Sequence, residues 1–162
     1  MERLLPLAEE VARLLKARKE TVAVAESSTG GLITAALLAV PGASAYCRGG
    51  IVIYTRNVLY AMKEVDKETL RGLTPATEEY ALFEARLACE RLSADWGIGE
   101  TGATGPSGNS YGNPPGHTCV AVWHRTGRAA TLNTGETDRV ENMYAFAEAA
   151  LELLATALRA AP

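Results

Sequence analysis

Residues 21–40 constrain the fold more than any other part of this chain. An apolar, partly β-branched run, Thr21-Val22-Ala23-Val24, leads through Ala25-Glu26-Ser27-Ser28-Thr29-Gly30-Gly31 into a second apolar run over residues 32–40. The first run is too short for a helix and suits a buried strand, while the second has the composition of a helix, predicted over residues 29–40 and stopped by Pro41-Gly42. A strand, a tight glycine turn and a helix in direct succession make the opening unit of a layered α/β domain. Hydroxyls and glycines at that junction bring side-chain oxygens and backbone N–H groups to one point. The first turn of a helix carries unpaired donors and the positive end of its dipole, so it attracts anions. A serine held there serves as a helix cap, a phosphate ligand or a nucleophile.

The rest of the chain continues the alternation. Leu4, Leu7, Val11, Leu14 and Leu15 recur at helical spacing, which predicts a helix over residues 3–18. Strands are expected at 46–54, 95–99, 117–123 and 129–133, the last two joined as a hairpin around Arg125-Thr126-Gly127-Arg128. Helices are expected at 57–63, 67–72, 77–92 and 137–158, and residues 101–115 read as a loop rich in glycine and proline, of a length that is usually functional or mobile. The fold expected is a single α/β domain over residues 1–162, three layers α/β/α around a mixed, mostly parallel sheet.

The 162 residues carry 22% charged and 48% hydrophobic side chains with a net charge of −3, an ordinary globular balance. There is no basic run or basic stripe beside aromatics, which argues against a nucleic-acid partner. No apolar run reaches the roughly 20 residues of a membrane span, and the first residues lack a signal-peptide core. Cys47, Cys89 and Cys119 are scattered, as reduced thiols of a cytoplasmic protein would be. No His/Cys/Asp cluster has metal-ligand spacing, so neither a metal nor a cofactor is expected.

Three segments fall in the turns after strands, where α/β folds place their sites: Glu26 to Gly31, Tyr54 to Lys63, and Thr101 to Gly116. Their motifs resemble those of the CinA C-terminal domain family, which includes stand-alone nicotinamide-nucleotide amidases. The strongest is Ala-Glu-Ser-x-Thr-Gly-Gly, with Ser28 in the variable slot. Gly42-Ala43-Ser44-Ala45-Tyr46 through Arg48-Gly49 to Tyr54 is a second, and Gly102-Ala103-Thr104-Gly105-Pro106 followed by Pro114-Pro115-Gly116 a third.

The resemblance implies hydrolysis of the carboxamide of nicotinamide mononucleotide by a serine nucleophile, Ser27, with Tyr54 as a proton relay. The amides near Thr29, Gly30 and Gly31 would receive the oxyanion, and Gly102, Ala103, Thr104 and Gly105 would cradle ribose or phosphate. It also implies a small-molecule nucleotide ligand and a tendency to self-associate.

The chain departs from the family pattern in the site segments. The family's Tyr-Ser-Asn-x-x-Lys, whose lysine is the implied base, becomes Tyr54-Thr55-Arg56-Asn57-Val58-Leu59. Lys63, one helical turn beyond Leu59, is the expected substitute base, with His117 as another. The family's Gly-Asp-Arg becomes Gly135-Glu136-Thr137, leaving Arg56 and Arg139 as candidate phosphate partners. Three outcomes follow: an amidase of this type, a binding member of the family with impaired catalysis, or a hydrolase of another small amide.

Overall fold

A computed structural model describes residues 1–62 and 65–162. Five strands form one sheet in the order β2-β1-β3-β4-β5: β1 (Val22–Glu26), β2 (Cys47–Val52), β3 (Trp96–Ala103), β4 (His117–His124) and β5 (Thr126–Asn133). β1 runs parallel to both β2 and β3, whereas β3–β4 and β4–β5 are antiparallel. The sheet is mixed as expected, with parallel and antiparallel ladders in equal number.

The helices are α1 (Leu5–Arg18), α2 (Leu32–Ala39), α3 (Arg56–Ala61), α4 (Glu78–Arg91) and α5 (Arg139–Ala160). Leu15 of α1, Ile33 and Leu37 of α2 and Leu151 and Leu154 of α5 pack on Val22, Val24, Trp96 and Ile98, forming the larger core on one sheet face. α4 covers the other face, where Tyr80 and Ala88 meet Ala23, Ala25, Ile53 and Leu59 of α3. Among the described residues no helix is long and apolar enough to cross a membrane.

Gly97 and Gly99 explain how α4 lies so close to the sheet. A Cβ on either would run into the Ala85 or Ala81 carbonyl, so the helix backbone rests directly on the bare strand. These glycines weaken the strand signal in the sequence, and they are also why β3 can sit beneath α4.

Several boundaries differ from expectation. α2 begins at Leu32, after the glycine turn, and α5 begins at Arg139, capped by the Asp138 carboxylate accepting from the Val140 and Glu141 amides. β2 ends at Val52, short of Tyr54. Residues 67–72 form hydrogen-bonded turns rather than a helix. β3 continues through Ala103, so Gly102 and Ala103 lie in the strand paired with Thr118 and His117.

Candidate functional site

β1 ends at Glu26, and the chain reverses into α2 through Ser27 to Gly31. Gly30 and Gly31 have φ values of 64° and 103°, the left-handed region that a side chain resists, so the turn depends on both glycines. Two buried carboxyl groups hold it from within. Glu26 accepts from the amides of Gly31 (3.0 Å), Ile33 (3.1 Å) and Thr34 (3.0 Å), and from the hydroxyls of Thr34 (2.6 Å) and Thr29 (2.7 Å). The anion that the α2 N-terminus favours is therefore supplied by the protein itself.

Glu100 of β3 is the second. It accepts from the amides of Ser27 (3.1 Å) and Thr29 (3.0 Å) and from the hydroxyls of Ser28, Thr29 (2.9 Å) and Thr118 (3.1 Å). Burial pushes the Glu100 carboxyl above its ordinary range, against the opposing pull of hydrogen bonds from Ser28, Thr29 and Ser27. The Thr29 hydroxyl has one proton for two carboxyl oxygens, a count that balances when Glu100 keeps its own proton.

This arrangement corrects the expected oxyanion donors. The Thr29 amide is bonded to Glu100, the Gly30 amide to the Ser27 carbonyl (3.1 Å) and the Gly31 amide to Glu26. Among the described residues, the Ser28 amide is the one in this turn without a partner. It follows the candidate nucleophile directly, the position that supplies an oxyanion donor in other strand–turn–helix hydrolases.

The two serines are sharply distinguished. Ser28 is buried and its hydroxyl is committed to Glu100. Ser27 is half-buried, its hydroxyl has no partner among the described residues, and it lines a cavity of about 400 Å³. Gly102, the Tyr54-Thr55-Arg56 segment, Tyr80 and Tyr111 line the same cavity. Among the described residues lining it, Arg56 is the one side chain of fixed charge and none is an acid. The Arg56 Nη2 donates to the Leu73 carbonyl (2.9 Å), while its buried Nε has no partner.

The remaining expected residues are placed differently. The Tyr54 hydroxyl accepts from Arg139 Nη2 (3.2 Å), and Arg139 Nη1 donates to the Gly105 carbonyl (2.7 Å). Arg139, one of the two expected phosphate partners, thus joins Tyr54 to the 104–116 loop. Of the glycine-rich segment, Gly102 faces the cavity. The Ala103 carbonyl accepts from Gly116 and the Thr104 carbonyl from Asn142, so these carbonyls and that of Gly105 hold the loop in place.

His117 does not reach Ser27's cavity. Its Nε2 donates to the Ala76 carbonyl (3.0 Å) and its Nδ1 faces the Asn133 side chain (2.8 Å), which leaves no ring nitrogen free to act as a base. Leu59 is fully buried in the core beside Tyr80. Lys63 lies outside the described residues. α3 itself spans Arg56–Ala61, and Met62 is extended (φ −86°, ψ 118°).

Sequence reasoning also missed Glu84 of α4, which is fully buried with no partner among the described residues for either carboxyl oxygen. Burial, aided by nearby Glu100, pushes its carboxyl well above the ordinary range. The folded protein then keeps a proton that the unfolded chain releases above pH of about 4.3. Stability from this group is full below that pH and falls as pH rises toward the folded-state value. Glu84→Gln removes the titration, so its stability relative to the unmodified chain is expected to rise steadily between pH 5 and pH 8 in urea denaturation. A constant difference across that range would contradict the assignment.

Residues 4–158 match the family described as the CinA C-terminal domain. A CinA-like protein of Chlorobium limicola is 37% identical over 151 residues, covering 90% of this chain and 35% of that protein. One from Chloroherpeton thalassium is 35% identical over 161 residues, covering 96% and 38%. The chain spans about a third of the length of these curated relatives. Among solved structures, competence/damage inducible protein CihA from Agrobacterium tumefaciens superposes with a TM-score of 0.86 at 32% identity, covering 97% of this chain and 96% of that one. Competence damage-inducible protein A (ComA) from Klebsiella pneumoniae gives 0.90 at 27% identity, covering 98% and 99%.

Proposed function

The chain belongs to the CinA C-terminal domain family, and on that premise we propose that it hydrolyses the carboxamide of a nicotinamide mononucleotide-like substrate with Ser27 as nucleophile. The observation that carries this reading is the contrast between the adjacent serines: Ser28 is locked to Glu100, while Ser27 lines the cavity and its hydroxyl has no partner among the described residues.

In this reaction Ser27 Oγ bonds to the carboxamide carbon as its proton passes to a base, Lys63 in this reading. The carbonyl oxygen gathers negative charge toward the Ser28 amide. The C–N bond then breaks, the nitrogen takes a proton and leaves as ammonia, and water hydrolyses the resulting ester to free Ser27. Arg56, which lines the cavity, provides the positive charge for an anionic part of the substrate. Arg56→Ala is expected to raise KM for nicotinamide mononucleotide at least about tenfold, in line with loss of a charge-assisted bond. An unchanged KM would remove Arg56 from substrate binding.

A second reading, a nucleotide-binding member without turnover, is favoured by Leu59. The family's lysine slot holds a leucine packed in the core, where it can take no proton. Incubation with nicotinamide mononucleotide separates the two. The amidase releases ammonia and nicotinic acid mononucleotide in equal amounts, whereas the binding member gives a calorimetric isotherm and no product.

A further inference from the structure

A second cavity, of about 410 Å³, opens at the other end of β1. Trp96 lines it and pairs with Val22, the first residue of that strand, while Ser27 follows the last. The two cavities are therefore separated by the length of β1, about 16 Å at the usual rise per residue.

The charges around this cavity do not cancel. Among the described residues, Glu20 is the one acidic side chain in its lining. Its Oε2 already accepts from Arg18 Nε (2.7 Å) and from Trp96 Nε1 (2.7 Å). Arg18 is engaged in turn, since its Nη atoms also donate to the main-chain oxygens of Ala161 and Pro162. Arg125, which links β4 to β5, and Arg128 of β5 line the same cavity. Both are exposed and make no ion pair or hydrogen bond among the described residues. The lining thus presents two guanidinium groups that no acidic side chain among the described residues pairs. Beside them the His124 ring stacks on Trp96, with centroids 4.3 Å apart and planes within 12°. The Asp95 carbonyl accepts from His124 Nδ1 (2.8 Å), which fixes the ring and leaves Nε2 uncommitted.

We propose that this cavity is a second binding site, distinct from that of Ser27, for a phosphate-bearing small molecule with a planar ring. Arg125 and Arg128 hold the phosphate, whose oxygens match the guanidinium fork, and the His124–Trp96 stack supports the ring. The volume suits a ligand of nucleoside monophosphate size. Attraction rests on exposed charges, so affinity falls as salt rises.

Isothermal titration with adenosine monophosphate tests the site on the unmodified chain, on Arg125→Ser/Arg128→Ser and on Arg56→Ala. Saturable binding is expected to weaken at least about tenfold in the double variant, as loss of two charge-assisted contacts requires, and to persist in Arg56→Ala. Ribose 5-phosphate should bind more weakly than the nucleotide, and equal affinity would overturn the stacking assignment. In Trp123→Phe, Trp96 is the remaining tryptophan, and its emission should follow the same isotherm. No saturable binding, binding unchanged in the double variant, or binding lost in Arg56→Ala would overturn the proposal. None of these results depends on whether Ser27 is a nucleophile.

Discussion

Glu26→Ala is expected to lower the thermal midpoint by about 6–20 °C, from a loss of about 3–5 kcal/mol in a domain of this size. The cause is the number of donors that one carboxylate satisfies. Three amides at the start of α2 and two hydroxyls point at its oxygens from inside a buried turn. Alanine leaves them facing a space from which water is largely excluded, and each unsatisfied donor costs about 1–3 kcal/mol before relaxation. Glu26→Gln keeps one acceptor oxygen but turns an NH₂ group toward donors, so its midpoint should fall between those of alanine and the unmodified chain. Calorimetric scans of the three proteins give the order directly. A midpoint within 2 °C of the unmodified chain for Glu26→Ala would mean that the turn does not depend on this carboxylate.

The same carboxylate shows where sequence reading succeeds and where it stops. The succession of strand, glycine turn and helix at residues 21–40 was legible because each part has a local signature: a short apolar run, positive-φ glycines and a following apolar helix. The periodicity of α1, α4 and α5 was legible for the same reason. The partners of the turn were not. Glu100 reaches the Ser27 amide across 73 residues of sequence, and His117 reaches the Ala76 carbonyl across 41. No spacing rule links such pairs; the parallel register of β1 and β3, which sets Glu26 opposite Glu100, does.

Local composition also misled in two places. Gly102 and Ala103 sit in a glycine-rich stretch that suggests a loop, yet both are strand residues. At Gly102 a Cβ would crowd the His117 carbonyl and the Thr118 side chain of the neighbouring strand (2.6 and 2.8 Å), so this glycine serves strand packing. The amides of Thr29, Gly30 and Gly31 had the look of free helix donors because the sequence does not reveal that Glu26 and Glu100 fill them. The free donor is one residue earlier, at Ser28.

Ser27→Ala and Ser28→Ala are expected to separate chemistry from architecture. Ser27 makes no side-chain hydrogen bond among the described residues, so removing its hydroxyl should leave the thermal midpoint within about 2 °C, the range of a neutral substitution. Turnover should fall by about 10³-fold or more, the scale seen when a catalytic nucleophile is deleted. Ser28→Ala should do the reverse. It takes a buried hydrogen bond from Glu100, costing about 1–3 kcal/mol, while the nucleophile remains. Circular dichroism melts and single-turnover kinetics on both variants show whether the losses divide in this way. Equal loss of turnover with equal loss of stability would reduce both serines to parts of one structural turn.

The central claim is that Ser27 attacks a nucleotide carboxamide, and ammonia release from nicotinamide mononucleotide by the unmodified protein and by Ser27→Ala, assayed side by side, tests it most directly. The account predicts ammonia and nicotinic acid mononucleotide in equal amounts from the first. It predicts none above background from a folded, nucleotide-binding Ser27→Ala. Ammonia released equally by both, or nucleotide bound by the unmodified protein with no ammonia released, would contradict it.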